Sequence, residues 1–451
     1  MKKNTEKKLE KRKKKIAKRV KKRNWKNQCR PMLKGSNIQY DIDGRHQGIS
    51  CGGIGIIDQM IHQIGLPGEI NKNLNLLKRH LPYHESDHIL NIAYNILSGG
   101  TCLEDIELRR NDEAYLDALG AKIIPDPTTA GDFLRRFKQD DVVELMDIKN
   151  SIRKEVWRRQ PQNFKQQAII NVDGTISPTT GECKEGMDIS YDGQWSYNPL
   201  VVSLANTREP LFIVNRPGNV VSHSGSPVWI DKSLDLVADI FEKVYVRGDT
   251  DFSLTGHLDR WDQRCSFVFG MDARKNLVSI ANRIDESQWE PFERKNKYEV
   301  KTQERKRPEN VKDQVVKKRN FKQLQTEAEY VSEFSYQPGK CEKAYRIVVL
   351  KKKINVIQGI LFLFDDIRYF FHITNDLLRS THEIVQFYRK RADHENDIEQ
   401  RSFFVINSLI LDLNRWPNKG TITFQGITCL CELRSFVGGD LSEHPKPVSG
   451  W

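Results

Sequence analysis

Two aspartates sit where a chain could use them for chemistry. Asp173 closes the apolar run Ala168-Ile169-Ile170-Asn171-Val172 and is followed by Gly174-Thr175, and Asp249 closes the run that begins at Val244-Tyr245-Val246. Both runs read as strands, and ligands in α/β layers bind where strands end, because the chain opens outward there. Carboxylates at two neighbouring strand ends can converge on a hard divalent cation such as Mg²⁺, which takes oxygen ligands. Taken alone, the turn reading comes first, since a strand followed by Asp-Gly is a common turn. Arg247-Gly248-Asp249 also spells an adhesion tripeptide, a reading that a cytosolic setting opposes.

A third segment is more specific. In QFYRKRADHENDIEQ, Tyr388, Arg391, Glu395 and Glu399 are spaced by three, four and four residues. On a helix those steps put all four on one face. A solvated charged stripe is the plain reading of such a face. Tyr388 and Arg391 ahead of Glu395 would also hold a DNA phosphate beside a metal-binding carboxylate, because Arg grips phosphate oxygens bidentately and tyrosine adds a neutral donor.

The elements that must position these residues follow from periodicity. From about Gly48 to Phe137 the pattern is helical: Ile54 to Ile64, then Ser86 to Leu97 with Ser86 as cap, then a helix opened by Asp126-Pro127 and running through Phe133 and Phe137. From about Gln166 strand-like runs (168–172, 200–204, 211–214, 244–246, 266–270) alternate with helices at Pro227–Val244 and Phe252–Arg260. That alternation predicts an α/β layer around a mixed sheet. Between 276 and 374 the alternation stops, Ala344–Val349 and Ile367–Thr374 read as strands, and a helix is expected from Ser380 to about Gln400.

Charge and cysteine usage narrow the partners. The 451 residues carry a net charge of +12, yet residues 1–30 alone hold 16 Lys and Arg against Glu6 and Glu10, so the remaining chain is −2. A run this dense stays solvated and favours nucleic acid through counterion release, with a solubilising tail as the plain alternative. Residues 294–322, with 12 Lys and Arg against four acids, form a second basic region. No run approaches the ~18 apolar residues of a membrane span, and the N-terminus has no signal-peptide core. Eight scattered cysteines read as reduced thiols, so a cytoplasmic, nucleoid-associated protein is expected. His80, His84 and His88 are spaced for zinc, but Pro82 interrupts the helix and no Cys or acidic partner set is evident. Cys429-x-Cys431 is too short for a zinc knuckle, and Gly52-Gly53-x-Gly55 lacks the strand and later acid of a dinucleotide site.

NVDGT, VRGDTDF and Tyr388-x2-Arg391-x3-Glu395 together resemble the DDE transposases of bacterial insertion sequences, in the group 1 branch with a Y-x2-R-x3-E-x6-K signature. Asp105 to Asp112, Pro125 to Thr129 and Arg135-Arg136-Phe137 are similar to that family too, so the resemblance covers about residues 40–400. It implies an α/β, ribonuclease H-like catalytic domain (161–275 and 375–402) interrupted by a β-rich insertion (276–374). Around it would lie a basic arm (1–45), an all-helical DNA-binding domain (46–160) and an atypical tail (403–451). It implies Asp173, Asp249 and Glu395 as catalytic and metal-binding residues, with Asp251 the runner-up for the second acid, and Tyr388 and Arg391 as phosphate contacts. Two Mg²⁺ ions, with Mn²⁺ as substitute, would serve cleavage at element ends and strand transfer into target DNA. A homodimer would synapse two ends of double-stranded DNA. Trp289 could stack on a flipped base or simply pack. The signature's Lys position is Ser402, and Arg401 would point about 100° away on a helix. A frameshifted or truncated C-terminus would explain this and the unusual tail.

Overall fold

The structure, a computed structural model, describes residues 49–80, 82–179, 186–293, 322–358 and 361–392, together with residues 10, 11, 13–15, 18, 315 and 319. The chain divides into two units, Met1–Gly48 and Ile49–Trp451. In the first, the described residues are helical and exposed, as charged side chains require.

The second unit starts with helices: α1 (Ile54–Gln63), α2 (Leu66–Asn73), α3 (Glu85–Leu97), α4 (Ile106–Arg110), α5 (Glu113–Ala118), α6 (Pro127–Leu134), α7 (Gln139–Arg158) and α8 (Gln162–Lys165). Helix α3 is buried on nearly every face, so its polar residues need internal partners. Asn91 donates to the Pro125 carbonyl at 3.0 Å and Tyr94 to Asp58 at 2.7 Å. The expected cap Ser86 lies inside α3. The N-cap is His84, whose N–H donates to Asp87 at 2.8 Å, while the Ser86 hydroxyl accepts from Asn71. Asp126 caps α6 as expected, its carboxylate accepting the Thr129 N–H.

A nine-stranded sheet follows, in the order β6-β5-β1-β7-β8-β12-β11-β10-β9. Its strands are β1 (Gln167–Gly174), β5 (Leu200–Leu204), β6 (Glu209–Val214), β7 (Lys243–Gly248), β8 (Ser266–Met271), β9 (Glu290–Pro291), β10 (Lys322–Tyr336), β11 (Tyr345–Gln358) and β12 (Leu361–Thr374). β2 (Ser177–Pro178), β3 (Asp188–Ile189) and β4 (Trp195–Tyr197) form a small second sheet. β1, β7 and β8 run parallel, and the remaining pairings of the large sheet are antiparallel. The strands expected at 344–349 and 367–374 are parts of β11 and β12, and β12 joins the sheet by pairing with β8 through Phe371↔Met271. One apolar core runs from Ile54 in α1 to Ile373 in β12, so helices and sheet share an interior. Asn150 of α7 fastens them by donating to the Leu211 carbonyl of β6 at 3.0 Å.

Three expected helices change at their ends. The helix after Gly225 is α9 (Ser226–Val237), because the chain must turn to deliver Lys243 to its pairing with Gln167. The helix expected at 252–260 is two 3₁₀ turns followed by α10 (Leu258–Asp262). Ser253, Thr255 and Gly256 are poor helix formers, and the Asp249 carboxylate holds the first turn by accepting from the Asp251 N–H. After α11 (Lys275–Ala281), the helix expected from Ser380 is α12 (Thr381–Arg389), which a turn closes at 390–391. Ser380 and Glu383 form its capping box, and Ile384, Val385 and Phe387 bury its apolar face against Val268, Val331, Val348 and Leu350. Among the described residues no helix is long and apolar enough to cross a membrane.

Candidate active site

Val172 of β1 pairs in parallel register with Gly248 of β7. Asp173 and Asp249 are therefore the next step on two neighbouring strands, whose backbones run about 4.8 Å apart. Asp173 is 7% exposed, and its Oδ1 accepts the Gly174 N–H at 2.9 Å. Asp249 is half-buried at the head of its 3₁₀ turn, with Oδ1 accepting the Asp251 N–H at 2.9 Å. Asp251 is exposed and lies two residues on, inside the 3₁₀ turn that Asp249 caps, so Asp249 is the acid that the strand end places beside Asp173.

The end of α12 reaches this pair of strand ends. The Arg391 Nη1 donates to Asp173 Oδ2 at 3.1 Å, and its guanidinium lies 5.7 Å from the Tyr388 ring centre. Tyr388 lies over Gly270 of β8: a Cβ at that glycine would stand 2.7 Å from the tyrosine hydroxyl and 3.0 Å from the Thr250 methyl. The absence of a side chain at 270 leaves the room that the hydroxyl and the Thr250 methyl share. The His372 ring of β12 backs Tyr388 at 4.3 Å between centres. Burial, aided by Arg389 and Lys352, pushes the His372 pKa down to about 3, so this ring is neutral.

A profile of the transposase DDE domain group 1 matches residues 30–412. The chain belongs to that family. Among solved structures, a piggyBac transposase synaptic complex with hairpin DNA is similar at 11% sequence identity and a TM-score of 0.38, covering 84% of this chain and 74% of the other. No curated protein matches the chain.

In this domain, then, Asp173, Asp249 and the Tyr388/Arg391 pair lie at one end of the parallel strands. Glu395, Glu399 and Ser402, like most of the basic stretch 294–322 and the tail 403–451, lie outside the described residues. The single-face helix expected through Tyr388, Arg391 and Glu395 changes within its first step. The Arg391 N–H bonds to Tyr388 O at 2.9 Å, a tight turn in place of continued α-helix.

Trp289 is not presented for stacking. It is 8% exposed, under the Lys351 ammonium at 4.9 Å and beside Tyr369. The adhesion reading of Arg247-Gly248-Asp249 also fails, because Arg247 is 4% exposed. The histidine series splits: His88 stacks on Phe133 inside α3, while His80 and His84 stack on one another. Sequence reasoning missed Glu85, whose carboxylate lies with those two ring nitrogens within 4.8 Å. That carboxylate already accepts from the Leu76 and Leu77 N–H groups and contacts His80 at 3.0 Å, so local structure accounts for it.

The residues around this candidate site that sequence reasoning missed are Gly270, His372, Arg247 and Arg216. Arg216 donates to the carbonyls of Asn198, Ser222 and Ser224 at 2.8–2.9 Å. It thereby holds the loop after β6 against Gly174, and burial pulls its pKa down to about 10. The only signal available for Arg216 was a charged residue closing an apolar strand.

Proposed function

We propose that this chain is a transposase that cleaves DNA at the ends of a bacterial insertion sequence and transfers the strands into target DNA. The contact that carries the reading is Arg391 on Asp173, which joins the Tyr-x2-Arg motif to the first acid across 218 residues of sequence. The order β6-β5-β1-β7-β8, with the last two strands parallel to β1, supports a ribonuclease H-like catalytic core.

DDE transposase domains generally use divalent metal ions, and the donor set here suits a hard cation. Asp173 and Asp249 offer carboxylate oxygens at adjacent strand ends, and Asp173 already holds a guanidinium cation. Asp173, Asp249 and Glu395 would hold the metal, with Mg²⁺ the natural ion and Mn²⁺ a substitute. A pair of such ions held there would supply activation of water and stabilisation of the leaving 3′ oxygen. The chain's own part is orientation. Arg391 and the Tyr388 hydroxyl grip the phosphate beside the scissile bond, Gly270 keeps room for that hydroxyl, and the buried strand ends fix both acids. Because cleavage and strand transfer are both in-line phosphoryl transfers, one set of acids serves both. Double-stranded element ends and target DNA are the partners, with two copies of the chain in the synapse.

Strand transfer with pre-cut element ends, taken from the DNA that flanks the gene, tests this. The wild-type chain is expected to give joined products with Mg²⁺ or Mn²⁺, and Asp173→Asn and Asp249→Asn none. Cleavage without joining would mean a nuclease of the same fold. End binding with neither reaction would mean a DNA-binding protein descended from a transposase.

A further inference from the structure

We propose that Arg247 is a positioning residue for this site: its buried guanidinium takes the carbonyl that a continuing α12 would use, and so turns Arg391 onto Asp173. The proposal rests on the acid site described above. Arg247 is 4% exposed and lies on β7, two residues before Asp249. Its Nε donates to Asn171 Oδ1 on β1, two residues before Asp173. Its Nη1 donates to the Phe387 carbonyl at 2.7 Å, and its Nη2 reaches the Lys390 carbonyl at 3.4 Å. The same guanidinium lies 5.0 Å from the centre of the Phe387 ring. One side chain thus ties both acid-bearing strands to the last turn of α12.

In a continuing α-helix the Phe387 carbonyl would accept the N–H of residue 391. Here the Arg391 N–H goes instead to Tyr388 O. The last carbonyls of a helix need partners, and a cation beside them is favourable. Arg247 supplies both, and with Phe387 O occupied the chain takes the tighter turn that aims Arg391 at the acid. A lysine could carry the charge but not the fork that spans two carbonyls and Asn171.

Hydrogen exchange on the full chain, without DNA, tests the placement. Arg247→Met is expected to speed exchange across 381–391 while 167–174 and 243–248 keep wild-type protection. Unchanged exchange at 381–391, or equal acceleration of all three segments, would overturn the proposal. Asn171→Ala leaves Arg247 in place and removes only its orienting partner. It should give the same local pattern more weakly, and it decides the matter if Arg247→Met does not fold. Cleavage of end DNA is the second arm. In Arg247→Met, kcat should fall about 100-fold with KM nearly unchanged, as a misplacement near 1 Å does. Arg247→Lys should recover part of that loss, and Arg391→Gln should add little to it. Fully additive losses would mean that Arg247 does not act through Arg391. A wild-type chain that cleaves no DNA would end the transposition reading and leave the exchange result standing.

Discussion

Arg391 and Asp173 form an ion pair at 3.1 Å in which both side chains are at most 15% exposed. The guanidinium sits on the carboxylate oxygen that a metal ion would need, so the two compete for it. In the proposed reaction a DNA phosphate is the second partner of Arg391, and moving the arginine onto it would release its hold on Asp173. Metal and DNA should therefore help each other to bind, with Arg391 as the exchanged group. Titrating Mn²⁺ into DNA-free protein checks this. Arg391→Gln should bind the ion about tenfold more tightly than wild type, the scale of one charge-assisted hydrogen bond. A short end duplex should tighten Mn²⁺ binding in wild type and leave the variant unmoved. Equal Mn²⁺ affinities in the absence of DNA would remove the exchange.

Gly270→Ala tests the seat of Tyr388. The added methyl would stand 2.7 Å from the hydroxyl and 3.1 Å from the Thr250 backbone nitrogen, so the ring or the Asp249 turn must move. Overpacking of this kind costs about 1–3 kcal/mol of stability. Cleavage should fall roughly 10- to 100-fold, since the shift is of order 1 Å. Tyr388→Phe removes the clashing oxygen, so the double variant should be more stable than additivity allows. Simple additivity in urea unfolding would place Tyr388 elsewhere.

The two aspartates were legible because each ends an apolar run, and burial of such a run leaves its first carboxylate at a strand end. Arg391 was legible from its spacing to Tyr388, although the reason given, one face of a helix, gave way to a tight turn. Arg247 was not legible. A charged residue inside a strand looks like an exposed position, and only the long-range pairing of β7 with α12 supplies its carbonyl partners. Gly270 carries no side chain to notice. The lengths of β11 and β12 were also hidden, because lysines 351–353 break the apolar pattern of the first and Asp365-Asp366 that of the second. Lys351 and Lys352 keep their place in the sheet by lying over Trp289 and Phe370.

His372 predicts a pH dependence of stability. Its folded pKa, near 3, is far below the imidazole value of 6.5, chiefly because burial penalises the charged ring. Between those limits the unfolded chain binds the proton and the folded chain does not. Stability should therefore be flat above pH 6.5 on this group's account and fall as pH drops toward 3, by about 1.4 kcal/mol per pH unit. Other acids titrate in the same range, so the comparison is with His372→Phe, which keeps a ring against Tyr388. From pH 7 to pH 5 the wild type should lose about 2 kcal/mol more than the variant in urea unfolding. Parallel losses would mean that the ring is protonated in place.

The basic arm should govern how strongly the chain holds DNA, and not which DNA it prefers. Sixteen Lys and Arg lie within residues 1–30, whereas the rest of the chain is −2 and presents acids at its strand ends. Binding to phosphate carries no sequence information and releases counterions. Deleting residues 1–45 should weaken binding to any duplex and lower the slope of log K against log salt by about 0.9 for each phosphate that the arm neutralises. The ratio of affinities for element ends and unrelated DNA should stay the same, because a run of lysines and arginines reads no bases. A truncated chain that keeps the wild-type salt slope would assign the electrostatic attraction to another part of the molecule. A truncated chain that loses its preference for ends would make the arm the recognition element.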